Sequence, residues 1–509
     1  MLTNEELQQY IKNGKIMDAI SYYEDLSKKF PDNLNIYLQL ASLYEKTPQW
    51  EKALDYYLYS EQLSSKNPFI YNNIGCLYLD RFLYNQAEEF FKKAVALIPQ
   101  NPFFLANLAS VYEKLNKNDL AIEAFNILVN LLPHEATFFN SLAVSLAKEK
   151  RYEEALPYQL KAVYLANNNI DYNYNLGVIY LALCKIEEAI SFFRKTLELS
   201  PKNHQAHYNL GVSLLLLGKF EEGFLEYEWR YIKFPYMKAI YDLYWKGENL
   251  ENRIIYVHAE QGLGDTIQFC RYLKMLRRKK PKKIVFYVQP ELVTLIKSLK
   301  IADIVNVFPP PILYKNGYHV CLLSLPTIFK TTIKNIPVEK FYITSEKIES
   351  EKWKKRLSHL KGLKIGIIWK PNKDSKTFDD RSIELKKFLF LKKKLGLNII
   401  SLQKEVTKEE IEIMKGNNIL DFSKYLENFS DTAALIQNLD LVIGVDTSVI
   451  HLSAAMGKRV FLLLPFKPDW RWLLEKNTSP WYPSIKIFRQ KERKNWDNVF
   501  KELEKILLF

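Results

Sequence analysis

The chain has 509 residues, of which 48% are hydrophobic and 26% are charged, a composition typical of folded globular proteins. This length exceeds what one hydrophobic core can hold, and it predicts about three domains. The formal net charge is +14, but the lysines are scattered over predicted helix faces. The charge therefore favours attraction of small anionic substrates over nucleic-acid binding. No apolar run approaches the length of a membrane span, so we expect none.

The cysteines and the N-terminus predict a cytoplasmic protein. Cys76, Cys184, Cys270 and Cys321 lie far apart and form no C-x-x-C pair. We therefore expect buried thiols in a reducing cytosol, with neither a disulfide framework nor a zinc site. The first twelve residues are polar and acidic, unlike a signal peptide.

The first half of the chain carries an internal repeat. Leu or Ile followed by Ala or Gly recurs every 34 residues, at Leu40-Ala41, Ile74-Gly75, Leu108-Ala109, Leu142-Ala143, Leu176-Gly177 and Leu210-Gly211. A second series of small residues keeps this register, from Ala19 to Gly223, and aromatic residues follow it. Small residues let paired helices approach closely, and aromatic residues fill the space between neighbours. This pattern resembles the tetratricopeptide repeat, and it predicts an all-α solenoid of about seven helix pairs over residues 1–236.

The repeat resemblance implies a binding face for an extended peptide or a partner helix. We predict that it recruits an acceptor or partner protein, with self-association into a homo-oligomer as the alternative. Asparagines recur in the first helices of the pairs, where they would either bond a peptide backbone or be solvated: Asn72, Asn73, Asn107, Asn140, Asn173, Asn175 and Asn209. An aromatic-rich junction is predicted at residues 237–250.

From Arg253 onwards, predicted strands alternate with helices, which indicates doubly wound parallel sheets. We predict one α/β half at residues 251–350 and a second at 351–509. The predicted strands are Ile254–His258, Ile284–Gln289, Ile304–Phe308, Tyr318–Leu323, Lys364–Trp369, Asn398–Gln403, Ile419–Phe422, Leu441–Val445 and Val460–Leu464. The predicted helices are Thr266–Leu276, Glu291–Leu299, Glu346–Leu360, Ile383–Leu391, Lys408–Met414, Asp431–Leu439, Val449–Met456 and Trp496–Leu508.

Residues 440–465 form the most distinctive βαβ unit of this half. Strand Leu441–Val445 leads through Asp446, Thr447 and Ser448 into a helix, and these three residue types favour a helix N-terminus. The free N–H groups of such a helix point at the carboxyl edge of the sheet, where an anion can be held. The unit therefore predicts a phosphate-binding site.

These residues also carry a family resemblance. Gly264-Asp265, after the first strand, together with Asp446-Thr447-Ser448 and His451, is similar to the heptosyltransferase-type glycosyltransferases of family 9. The longer runs resemble bacterial proteins that fuse tetratricopeptide repeats to such a domain, and the overall plan is similar to the O-GlcNAc transferases of family 41. The resemblance implies a GT-B fold of two Rossmann-like halves. It also implies sugar transfer from a nucleoside diphosphate to an acceptor, with a repeat-bound protein such as flagellin as one candidate.

Asp265 is the predicted base for the acceptor hydroxyl, because it follows the first strand and matches the family-9 aspartate. The alternative role is an N-cap for the following helix. His258 and Glu260 lie on the same edge and are reserve bases. Gly262 and Gly264 make the turn and are donor-binding candidates. The resemblance to family 9 implies inversion at the anomeric carbon.

The predicted donor contacts lie in the second half. Thr447 and Ser448 should offer N–H and hydroxyl groups to the diphosphate, and Asp446 should orient their turn. His451 either reaches the phosphate or is a structural histidine. The remaining candidates are polar residues after strand ends: Lys370, Lys373, Lys376, Arg381, Gln403 and Lys404. We expect neither a metal nor a cofactor. Asp469–Trp472 is predicted to be core, with stacking on the sugar or base as the alternative.

Two other functions fit the same sequence. In the first, the GT-B half is degenerate and the chain is a non-catalytic interaction scaffold. In the second, the acceptor is a small or lipid-linked glycan and the repeats serve assembly.

Overall fold

The computed structural model describes residues 10, 12–233, 243–310, 314, 316–375, 377–391 and 397–508. The chain divides into two compact units, Met1–Leu183 and Cys184–Phe509. In the described part of the chain, no helix combines the length and apolar character needed to cross a membrane.

The first unit consists of helix pairs, as the repeat predicted. Asparagine caps begin several first helices; for example, the Asn67 side chain accepts the Phe69 N–H at 3.0 Å. Pro68 follows this cap, at a position where the missing N–H costs nothing. The helices are α1 Ile16–Lys29, α2 Leu34–Glu45, α3 Trp50–Leu63, α4 Pro68–Leu79, α5 Tyr84–Leu97, α6 Pro102–Lys114, α7 Asn118–Leu131, α8 Ala136–Lys148, α9 Tyr152–Leu165 and α10 Ile170–Ala182.

The recurring small residues lie where paired helices touch. A Cβ atom at Gly75 of α4 would lie 2.6 Å from the Phe91 ring of α5, so only glycine fits without displacing the ring. Ala41, Ala109 and Ala143 are fully buried. The prediction of an all-α tetratricopeptide solenoid is thereby confirmed.

The second unit begins with three more helices of the repeat region, α11 Ile186–Leu199, α12 His204–Leu216 and α13 Phe220–Tyr227. A 3-10 turn at Glu228–Lys233 follows. We call α12, α13 and this turn the terminal repeat. The terminal repeat belongs to the same compact unit as the sheets. Of the predicted junction, residues 237–242 lie outside the described residues; within the rest, Trp245 is completely buried.

Two parallel sheets form the rest of this unit. The strands are β1 Ile254–His258, β2 Lys283–Val288, β3 Ile304–Val307, β4 Tyr318–Cys321, β5 Lys364–Ile368, β6 Asn398–Ser401, β7 Leu420–Asp421, β8 Leu441–Val445, β9 Val460–Leu464 and β10 Ile485–Arg489. The first sheet has the order β3-β2-β1-β4 and the second has the order β10-β9-β8-β5-β6-β7. All described neighbours in both sheets run parallel, which confirms the predicted α/β class.

Two predicted helices are built differently. The segment predicted as one helix at Thr266–Leu276 is broken by a 3-10 turn at Cys270–Tyr272, and the segment predicted at Ile383–Leu391 starts with a 3-10 turn at Leu385–Phe388. In the latter, the Ile383 N–H bonds the Trp369 carbonyl at 2.9 Å, and residues 382–384 before the 3-10 turn are not helical. The helices are α14 Leu263–Phe269, α15 Leu273–Arg278, α16 Val293–Ser298, α17 Leu325–Ile328, α18 Lys347–Arg356, α19 Phe378–Arg381, α20 Lys408–Gly416, α21 Phe429–Gln437, α22 Ser448–Ala455 and α23 Asp497–Leu508.

Candidate functional site

The βαβ unit places a helix N-terminus at the carboxyl edge of the second sheet. All five residues of β8 are buried, and Thr447 is the extended N-cap residue of α22. The Thr447 side chain does not cap the helix. Its hydroxyl oxygen is buried and has no hydrogen-bond partner among the described residues. The Ile450 and His451 N–H groups bond the Thr447 carbonyl at 3.1 and 3.2 Å. The first N–H groups of a helix have no intrahelical partner, so the donors at this end of α22 are those of Ser448 and Val449 and the Thr447 hydroxyl.

Asp446 precedes the N-cap residue Thr447, and its carboxylate lies between two basic side chains. Its carboxylate lies 3.5 Å from His451 Nε2 and 3.5 Å from Arg381 Nη1. Arg381 also donates to the Asp446 carbonyl oxygen at 2.8 Å. Burial by itself would raise the pKa of Asp446, but the His451 contact and the Arg381 charge lower it to about 2. The carboxylate is therefore ionised at neutral pH.

His451 is enclosed by protein groups. Its Nδ1 lies 2.9 Å from the Tyr482 hydroxyl, and its ring stacks on Trp472 at 5.1 Å. A Cβ at Gly264 would lie 2.8 Å from His451 Cδ2, so the glycine is what allows α14 to approach α22. With 5% of its surface exposed, His451 fits the structural alternative better than phosphate contact.

Asp265 reaches this region from the first α/β half. It is the third residue of α14 and not its N-cap, which is Gly262; the N-cap alternative is corrected in this respect. One carboxylate oxygen accepts the Gly262 N–H at 2.9 Å. The other accepts a hydrogen bond from Arg471 Nη2. The carboxylate is thus held by its own loop and by an arginine of the other half.

Arg471 is the site residue that the sequence reasoning missed. Trp470 and Trp472 are buried, as the core assignment predicts, whereas Asp469 at the start of the run is exposed. Arg471 is also buried, and Nη1 bonds Asp469 at 2.7 Å. Burial alone would lower the pKa of Arg471, but the charges of Asp265 and Asp469 hold it well above its usual value. The sequence did hold a signal for Arg471, because Asp469 and Arg471 are oppositely charged residues within a run rich in tryptophan.

The two reserve bases have other partners. His258 is completely buried, and its Nε2 lies 2.8 Å from His319 Nδ1. Burial, and then the neighbouring His319, lower the pKa of His258 to about 3. Glu260 accepts two hydrogen bonds from Arg230, at 2.8 and 3.1 Å. Asp265 also has partners, but its side chain is 15% exposed, against 5% for Glu260 and none for His258, so we keep Asp265 as the candidate base.

Most of the other predicted donor contacts, the polar residues after β5 and β6, bond protein groups of their own. The Gln403 side chain accepts the Lys370 N–H at 3.3 Å, and Lys370 Nζ bonds Glu410 at 2.5 Å. The exposed Lys404 donates to the Glu427 carbonyl at 3.3 Å. Lys373 is exposed in its loop. Lys376 lies outside the described residues.

Both regions of the chain match models of known protein families. Residues 427–506 match the model for glycosyltransferase family 9 (heptosyltransferase). This match includes Asp446, α22 and Arg471, and it begins after Asp265. Tetratricopeptide-repeat models match residues 5–68, 70–101, 107–170, 170–203 and 192–223. The chain thus carries tetratricopeptide repeats followed by a segment similar to family 9.

Individual relatives match part of the chain. Protein FlbA of Caulobacter vibrioides is 24% identical over 282 residues, which are 50% of this chain and 46% of FlbA. The chain therefore spans about half the length of this curated relative. The crystal structure of YrrB, a TPR protein with an unusual peptide-binding site, is 23% identical, covers 36% of this chain and 95% of its own, and has a TM-score of 0.34. Pseudomonas aeruginosa pilF is 19% identical, covers 40% and 92%, and has a TM-score of 0.34.

Proposed function

We propose that this chain is a glycosyltransferase that moves a sugar from a nucleoside diphosphate to an acceptor protein bound by the repeats. One observation carries the proposal: α14, which bears Asp265, packs through Gly264 against α22, whose N-terminus offers unused donors. A carboxylate of the first half and an anion-binding helix end of the second half thus belong to one site. The match of residues 427–506 to family 9 supports the same class of reaction.

The donor diphosphate fits the N-terminus of α22. The Thr447 hydroxyl and Arg381 Nε are both buried without a hydrogen-bond partner among the described residues. A diphosphate would accept bonds from these groups and from the first N–H groups of the helix, whose dipole favours negative charge. These groups supply positive potential within the protein, and we propose that the reaction needs neither a metal nor a cofactor.

The proposed reaction is a single displacement. Asp265 takes the proton of the acceptor hydroxyl while the oxygen of that hydroxyl attacks the anomeric carbon. The bond from that carbon to the diphosphate breaks, and the electron pair stays on the diphosphate oxygen. Donors at α22 stabilise this charge as it develops. Attack opposite the leaving group inverts the anomeric configuration.

Donor binding is tested with the full chain in EDTA, by thermal shift and calorimetry against nucleoside diphosphates and their sugars. We expect one nucleotide to raise the melting temperature, and Thr447→Val to weaken its binding about tenfold, because one good hydrogen bond to a charged group is worth about 1.5 kcal/mol.

Thr196→Val is the matched control, because this buried threonine bonds only the Phe192 carbonyl of its own helix among the described residues. It should leave nucleotide affinity unchanged. Equal affinities of the wild type and T447V would contradict the donor site at α22. A wild type that binds no nucleotide would favour the scaffold function.

The acceptor side of the proposal rests on the amides of the first helices. Asn107 of α6 donates to Asn72 of α4 at 2.8 Å, and Asn175 of α10 donates to Asn140 of α8 at 3.0 Å. All four side chains are half-buried. An amide has two donors and an accepting oxygen, so each pair keeps groups that match a peptide backbone.

We expect the double variant N107A/N175A to raise KM for a protein acceptor about tenfold and to leave donor hydrolysis by water unchanged, because the lost contact binds the acceptor and takes no part in the chemical step. Candidate acceptors, flagellin among them, are compared by initial rates. Asn130→Ala is the control: this exposed asparagine lies on the second helix of its pair and bonds its own helix at 2.9 Å. Unchanged KM in the double variant would favour a small or lipid-linked glycan acceptor.

A further inference from the structure

The turn Asp469–Leu473 joins three parts of the second unit. Its three central side chains contact different neighbours: Trp470 the terminal repeat, Arg471 the Asp265 carboxylate, and Trp472 the His451 ring. The match to family 9 includes this turn but assigns it no role.

Trp470 is held by the terminal repeat. Its ring centroid lies 5.6 Å from that of Phe224 and 5.9 Å from that of Tyr227, both edge-on. Such aromatic pairs add packing energy beyond their buried area. Tyr227 also lies within 3.0 Å of the Gln261 side chain, in the loop that leads to Asp265. The terminal repeat therefore contacts both the turn and the loop of the candidate base.

At its C-terminal end, the turn has a strained backbone and is held by hydrogen bonds from Arg489. Leu473 has φ 55° and ψ −167°, a conformation found almost only in glycine. Arg489 donates to the Trp472 carbonyl at 2.6 Å and to the Lys476 carbonyl at 2.9 Å. Strain of this kind persists where the surroundings impose it, and it is concentrated at functional sites.

Arg471 links the turn Asp469–Leu473 to Asp265. Its guanidinium bonds Asp265 and Asp469 through different nitrogens and lies over the Trp470 ring, with 4.3 Å between the guanidinium carbon and the ring centroid. The planar guanidinium bonds two carboxylates and lies over one ring, and these three contacts together allow it a single orientation. Together with the Gly262 N–H, it fixes both oxygens of Asp265.

We propose that Arg471 is a positioning residue for the Asp265 carboxylate, and that the terminal repeat holds Arg471 in place through Trp470. The inference rests on the proposed function, in which Asp265 is the base. Arg471 itself touches no reacting atom. Its loss leaves the carboxylate in the site but free to rotate away from the acceptor hydroxyl.

The test uses the full-length chain with Arg471→Met and Arg471→Lys, by steady-state transfer kinetics and nucleotide calorimetry. We expect R471M to lower kcat about a hundredfold, since a misplacement of about 1 Å has that effect, with the nucleotide Kd within about twofold of the wild type. R471K keeps a charge but lacks the planar guanidinium, and its kcat should be about tenfold higher than that of R471M.

Arg271→Met is the matched control. Arg271 is also buried over aromatic rings, but the groups it bonds are the carbonyls of Gln268 and Trp481 and the hydroxyl of Tyr342. It should lower the melting temperature and keep kcat per folded molecule. If R471M keeps wild-type kcat, or loses no more than R271M, the inference is wrong although the proposed function stands. An inactive wild type overturns both.

Discussion

Replacing Asp265 with asparagine should lower the rate of sugar transfer by about a hundred- to ten-thousand-fold, the usual contribution of a positioned general base. The amide oxygen can still accept the Gly262 N–H that the carboxylate now accepts at 2.9 Å. The bond to the loop is therefore kept while the base is lost. Arg471 loses one of its two carboxylate partners and keeps the other, Asp469, at 2.7 Å. Initial rates at saturating donor and acceptor measure the effect, and NMR of the wild-type product reports whether the anomeric carbon inverts.

Asp431→Asn provides the control for the structural role. Asp431 is likewise the third residue of its helix, α21, and accepts the N–H of the N-cap residue Asn428 at 3.0 Å. It should lower stability slightly and leave kcat unchanged. If D265N and D431N had equal rates, the carboxylate would serve only the helix terminus, and the scaffold function would gain support.

Replacing Arg230 with methionine should lower the free energy of unfolding of the second unit by about 3–5 kcal/mol, the usual cost of removing one partner from a buried ion pair. Arg230 is 1% exposed and bonds Glu260 at 2.8 Å and Glu228 at 2.7 Å. Burial raises the pKa of Glu260 while Arg230 opposes that shift. Without the guanidinium, two carboxylates remain close together and partly desolvated. Urea unfolding of the full chain, followed by tryptophan fluorescence, measures the loss.

Arg194→Met is the control from the same repeat region. Arg194 bonds Glu222 at 2.6 Å, but about half of each side chain is exposed. Exposed pairs of this kind contribute about 0–1 kcal/mol. Similar losses in the two variants would contradict the buried network as the source of stability.

The bonds of Arg230 to Glu260 and Glu228 also determine where the repeats can be truncated. A deletion through residue 236 would remove Arg230 and leave Glu260 buried without its partner. The division between Leu183 and Cys184 keeps the terminal repeat with the sheets. A fragment starting near Cys184 is therefore the appropriate one for asking whether the other repeats are needed for transfer.

The sequence by itself determined the repeat region, because the 34-residue register is a local property that each helix pair expresses with its neighbours. It also determined both parallel sheets and the strand-to-helix turn at Asp446–Ser448. Alternation of strand and helix, and polar residues after a buried strand, can be read within a short window. The candidate base was proposed from its place after the first strand together with the resemblance to family 9.

Only the tertiary structure decided which residues surround that base. Arg471 bonds Asp265 across 206 residues of sequence, and Arg230 bonds Glu260 across 30. It also decided that Gly264 lies against His451 and that Glu260 and His258 have buried partners. The physical reason is that a buried charge is satisfied by whichever opposite charge the packed halves bring within reach, and no local pattern records that choice.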